Sequence, residues 1–192
     1  MSYLKPMPPD EKTAAAFEGI NGVFGFVPNF FRAQTLRPDL VESEIGLMAS
    51  ILLKEGALTR RQKEYMFLVC SAANHSTYCV TAHCEIVRML KLEGPEPEQV
   101  ALDYASTPIP IQLKALLEFA TRLNTHPTSI DKSDIDALHT FGYDDQQILE
   151  AVIVVGFAKF ANFVAFGLGT APDFENERVK FSKTAMAAES PI

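Results

Sequence analysis

The chain has 192 residues, 47% of them hydrophobic and 21% charged, with 24 Asp and Glu against 17 Lys and Arg for a formal net charge of −7. This length and apolar content suit one domain with a sizeable core and exclude a chain disordered beyond its ends. The acidic balance excludes a nucleic-acid binder of the usual kind, which needs a basic footprint on the phosphate backbone.

The opening residues MSYLKPMPPDEK contain no apolar run of signal-peptide length, so the expected location is the cytoplasm. Helix signals then dominate the chain, and strand alternation is almost absent. Asp10 is placed to cap a helix through Ile20, with Asn21-Gly22 as its stop. Residues 24–28 form a turn ahead of Asn29-Phe30-Phe31-Arg32. Pro38 stands at the first position of a helix carrying Val41, Ile45, Met48 and Leu52 at helical spacing, and Gly56 ends it.

Thr59 with Gln62 is a capping-box pair that opens a helix over 60–73. Asn74-His75 interrupts it, and Ser76 is placed as a fresh N-cap for a helix reaching Leu92, closed by Gly94 and Pro95. Shorter helices are predicted over 96–105 and 111–124, a polar loop over 125–129, and a helix over 133–141. The last helix starts at Asp144 or Asp145. In it, Glu150, Lys159 and Asn162 interrupt the apolar stretch 148–168 and leave eight unbroken apolar residues, 151–158. A membrane span needs roughly twenty, so the stretch reads as a helix buried within protein, with no membrane partner. The polar tail from about 173 is expected to be partly flexible.

An internal echo runs through this order. Thr59 and Glu64 open one helix, and Asp145 and Glu150 open another with the same five-residue offset; twelve residues after each Glu come Ser76 and Asn162. A degenerate two-helix repeat would read this way.

The three cysteines, Cys70, Cys79 and Cys84, fall within fifteen residues, a spacing that suits reactive or buried thiols better than a disulfide scaffold. If Ser76 caps its helix, Cys79 lies in the first turn, where free N–H groups and the positive end of the dipole favour a thiolate. His83, four residues on, shares its face and is placed to take the thiol proton. Glu64, on the preceding helix, is placed to orient that imidazole. Nucleophile, base and orienting carboxylate are the parts an activated thiol needs. The pair has a structural reading too: Cys79 and His83 share their face with Ile86, Val87 and Leu90, as a core cysteine and a hydrogen-bonded core histidine would. His75, Cys79, His83 and Glu64 are metal-ligand types without zinc spacing, so no metal and no cofactor is expected.

The order Glu64, eleven residues, Ser76, two residues, Cys79, three residues, His83 resembles the core motif of the alkylhydroperoxidase AhpD/carboxymuconolactone decarboxylase superfamily. Leu58-Thr59-Arg60, Ser71-Ala72-Ala73-Asn74, Tyr78-Cys79 and Ala82-His83 add to the likeness. Phe26-Val27-Pro28-Asn29, Arg37-Pro38 and the segment 162–169 resemble its uncharacterised peroxidase-related branch. The resemblance implies one all-α, AhpD-like helical bundle over 1–192, with its core motif at 59–92. It implies a thiol-dependent peroxidase of antioxidant type, with Cys79 as reactive thiol, His83 as proton acceptor and Glu64 as relay carboxylate. A hydroperoxide would be the small-molecule partner.

One position departs from the pattern: Ser76 stands where the family has its first cysteine. A hydroxyl cannot close a disulfide with Cys79, so regeneration must come from an external thiol or from another cysteine, for which Cys84 is poorly placed and Cys70 reads as core. Two alternatives follow, an acid/base enzyme of the decarboxylase type with His83 as base, and a non-catalytic or thiol-sensing oligomer. The apolar load at 40–53 and 151–168 exceeds what one chain covers. The expectation is a homo-oligomer, a hexamer or its component dimers and trimers.

Overall fold

The computed structural model describes residues 2–179 and 181. The fold is all-α: nine α-helices and no strand are found among the described residues. They are α1 Glu11–Phe24, α2 Asn29–Arg32, α3 Pro38–Met48, α4 Arg60–Ala73, α5 Thr77–Met89, α6 Pro97–Asp103, α7 Ile111–Thr125, α8 Lys132–Thr140 and α9 Asp145–Leu168.

Local chemistry sets most of the helix starts. Asp10 accepts from the Thr13 N–H, and Thr59 with Gln62 forms the expected capping box on α4. Asp144 with Gln147 does the same for α9, and Gly169 ends that helix in the left-handed region. The centre of the bundle is α4, which packs against α5, α6, α7 and α9. Its residues from Lys63 to Ala72 are buried on every side of the helix.

Even Lys63 is buried, and it is paired: its ammonium reaches Glu150 of α9 at 2.6 Å and the Lys54 carbonyl at 3.1 Å. Glu150 also accepts the Leu58 N–H at 2.7 Å. A Cβ at Gly56 would collide with this same carboxylate, so the glycine is what lets the 54–58 loop close over it.

Several boundaries differ from the sequence expectation, and at α1 the reason is burial outweighing a local signal. Helix α1 runs through Asn21-Gly22 to Phe24, a buried side chain, and stops at Gly25 with φ 78°. Helix α3 ends at Met48 and continues as one π-helical turn, Ala49–Leu53. Helix α5 stops at Met89 rather than Leu92, and Lys91 takes a left-handed φ of 51°. The echo also plays out differently in space. Residues 59–79 span α4, a turn and the start of α5, whereas residues 145–165 lie in one continuous helix.

The start of the tail is anchored. Asp173 accepts from the Asn29 N–H and the Tyr78 hydroxyl, Phe174 packs edge-on against Phe26, and Val179 is buried. The remainder of the expected flexible tail, 180 and 182–192, lies outside the described residues. Helix α9 is long and apolar enough to cross a membrane, yet it buries Ala151, Val154, Val155, Ala158 and Ala165 in the core. Its other side exposes Leu149, Ile153, Phe160 and Phe163.

Candidate active site

The α4–α5 junction builds the site. Asn74 closes α4, His75 adopts a left-handed φ of 56°, and the Ser76 N–H returns to the Ser71 carbonyl. The chain thereby reverses, and the start of α5 lies against α4. Cys79 and His83 occupy successive turns of α5 and line one cavity of about 80 Å³. That space suits several waters or a small organic group. Seven phenylalanines line it, drawn from α1, α2, α4, α9, the α1–α2 turn and the segment after α9. Asp173, Arg60 and Tyr78 are its other polar walls, and the Asp173 carboxylate is already committed to Asn29 and Tyr78.

Glu64 is fully buried, and its Oε2 lies 2.5 Å from His83 Nδ1. Its Oε1 accepts from Arg60 Nε and Nη2, both at 2.6 Å. Burial works against the charge on Glu64, but His83 and Arg60 outweigh it and hold the carboxyl below its usual range. An ionised carboxylate can only accept, so Nδ1 of His83 carries the proton and Nε2 is the free ring nitrogen. The imidazole stacks on Phe67, with ring centroids 3.8 Å apart, which fixes its plane. Arg60 Nη1 has no protein partner among the described residues.

Cys79 is only 3% exposed, and here the structure corrects an expectation. Burial pushes its thiol up to about 11, and the nearby polar groups of Ser76 and Asn162 offset only part of that. The resting group is therefore a thiol, because loss of solvation outweighs a place in the first helical turn. Cys79 is nonetheless the least shifted of the three. Burial lifts Cys70 to about 12 and raises Cys84 further, beside Glu98. Neither of those two lines the cavity.

Ser76 holds the N-cap position of α5, but its side chain makes no capping hydrogen bond. The hydroxyl is buried without a well-formed partner and turns inward to the thiol. His75 lies apart from the cavity, near Phe181, and His126 and His139 sit at exposed helix ends.

Two residues at the site were not singled out from the sequence. Arg60 was noted only as a flank, though its place four residues before Glu64 is the spacing of a helical ion pair. Asn162 had a fainter signal, its correspondence with Ser76 in the echo; both now face Cys79.

Comparison with solved structures follows the same geometry. A peroxidase-related protein with an alkylhydroperoxidase AhpD core, from Ralstonia eutropha JMP134, superposes with a TM-score of 0.84 at 26% identity, covering 93% of this chain and 94% of its own. The chain belongs to the AhpD-like superfamily. A second peroxidase-related protein, from Silicibacter sp. TM1040, gives 0.79 at 25% identity over 92% and 90% of the two chains. The debrominase Bmp8, as a cysteine-to-alanine variant with 2,3,4-tribromopyrrole, shares the fold at 0.76 and 19% identity over 98% and 99%. No family model and no curated protein matches the sequence.

Proposed function

We propose that this AhpD-like protein is a thiol-dependent peroxidase that reduces a small organic hydroperoxide at Cys79. The observation that carries the reading is positional. Cys79 alone of the three cysteines lines the cavity, beside a histidine whose other nitrogen is tied to a buried carboxylate. A base held this way suits a thiol that rests protonated. As the sulfur attacks, its proton passes to His83 Nε2, and the imidazolium is stabilised by Glu64.

The Cys79 sulfur bonds to the terminal peroxide oxygen, the O–O bond breaks, and the leaving alkoxide takes the proton from His83 as an alcohol. Cys79 ends as a sulfenic acid, oxidised by two electrons, while the peroxide is reduced by two. Ser76 offers no sulfur, so an external thiol attacks the sulfenic acid, releasing water and forming a mixed disulfide that a second thiol resolves. Phenylalanine walls favour a hydroperoxide with an apolar body over hydrogen peroxide.

The test is peroxide consumption with a dithiol reductant. Cumene hydroperoxide is consumed at least tenfold faster than hydrogen peroxide, and Cys79→Ala abolishes both. Equal consumption by Cys79→Ala refutes the reading.

A second reading draws on the protonated thiol and on Arg60 Nη1, a free cationic donor at the cavity. His83 would then act as base on a small organic acid whose carboxylate meets Arg60. Turnover of such an acid by Cys79→Ser, without peroxide, would select it. In either case the exposed apolar side of α9 is proposed to pack against another copy of the chain.

A further inference from the structure

Behind the thiol lies a buried amide network that the mechanism above leaves unused. Asn74, Asn124 and Asn162 come from the end of α4, from α7 and from α9. Asn74 and Asn124 exchange hydrogen bonds amide to amide, at 3.0 and 2.9 Å. Asn124 also donates to the Cys70 carbonyl at 3.3 Å. The second N–H of Asn74 goes to Asn162 Oδ1 at 2.7 Å.

This order dictates how the last amide points. Asn162 Oδ1 must accept, so its Nδ2 is turned the other way. One N–H goes to Ser71 Oγ at 3.0 Å, and the other is available to the Cys79 sulfur. Asn162, Asn124 and Ser71 are all fully buried, so no water competes for these groups. A flipped Asn162 amide would set its NH2 against the Asn74 NH2, donor against donor, and break the chain.

We propose that Asn162 directs an amide N–H at the Cys79 sulfur, with its Oδ1 held by the Asn74 donor. The proposal rests on the reading of Cys79 as the reacting group. It supplies the site with a fixed donor for the negative charge that develops on the sulfur as it ionises. A purely structural network joining α4, α7 and α9 would account for the same bonds, so the test must read the sulfur itself.

The readout is the rate of iodoacetamide alkylation at Cys79, followed by peptide mass spectrometry between pH 7 and 9. Losing one donor that lowers the thiol by about one unit cuts the thiolate tenfold, while the more basic thiolate regains about threefold in nucleophilicity. Asn162→Ala is therefore expected to slow Cys79 by about threefold to tenfold, and Asn162→Asp, which faces the sulfur with a carboxylate, by more than tenfold. Asn124→Ala, which touches no atom of Cys79, lowers the melting temperature but keeps the Cys79 rate within twofold.

A second measurement leaves Asn162 intact. Its side-chain amide NMR signal shifts in Cys79→Ala and stays in place in Cys84→Ser. Wild-type alkylation rates in both Asn162 variants, equal slowing by Asn124→Ala, or an unmoved amide signal in Cys79→Ala would each overturn the proposal. If peroxide leaves Cys79 unmodified while the Asn162 effects persist, the peroxidase reading fails and this one stands.

Discussion

Replacing Glu64 by Gln removes the one buried charge that ties Arg60 to His83. The Gln side chain keeps the shape and can still accept from His83 Nδ1, but the Arg60 guanidinium loses its carboxylate. Breaking a buried ion pair costs about 3–5 kcal/mol when the remaining charge is stranded. Arg60 is 21% exposed at its side chain and turns partly to water, which reduces the cost to about 2–3 kcal/mol. For a chain of this size that corresponds to a fall of about 5–10 °C in melting temperature.

The pH dependence has a definite sign. The folded Glu64 carboxyl is held below its ordinary 4.5, so its contribution is fully present above that value. It is lost as pH falls through the lower, folded value. Thermal or urea unfolding should show the gap between wild type and Glu64→Gln full at pH 7 and closing below pH 4.5. Equal stability at pH 7, or a gap that stays constant into acid, would refute the ionised, doubly held carboxylate.

Glu44 presents the opposite sign. Burial raises it to about 7, and its Oε1 lacks a hydrogen-bond partner, so the folded protein binds an extra proton between pH 4.5 and 7 and loses stability as pH rises through that window. Glu44→Gln should be more stable by about 1–3 kcal/mol at pH 8 and level with wild type at pH 4, as read by urea unfolding. Ser76→Cys places a thiol on the same turn as Cys79, in a position that makes no cap bond; it should fold with a loss under about 1 kcal/mol and form a reversible 76–79 disulfide after one equivalent of peroxide. Two free thiols at 76 and 79 after that treatment would count against a redox site. Light scattering should give a mass at least twice 21.2 kDa, and Phe163→Glu with Ile153→Glu on α9 should reduce it; a monomer at micromolar concentration would contradict the apolar face as an interface.

What could be read in advance follows from the range of each interaction. The Thr59–Gln62 box lies within four residues, so the start of α4 was legible to the residue. The end of α1 was not, because burial of Phe24 against distant helices overrides the Asn21-Gly22 stop. The π-turn at 49–53 has no local signature, since it re-aims Leu52 and Leu53 toward a cavity that exists only in three dimensions. The Glu64–His83 contact was anticipated from helix order and the motif. The Arg60–Glu64 pair is a four-residue spacing within α4 and so was present in the sequence, whereas the place of Asn162 depends on how α4 and α9 cross. The Cys79 thiol was misjudged for a related reason: helix-end electrostatics can be read from position, but the burial that outweighs them cannot.

The account turns on Cys79, and mass spectrometry after a sub-stoichiometric pulse of cumene hydroperoxide, with a dimedone-type sulfenate trap, tests it most directly. The expected result is one adduct, on Cys79, absent in Cys79→Ala and reduced at least tenfold in His83→Ala. An adduct on Cys70 or Cys84, or none while peroxide is still consumed, would contradict it.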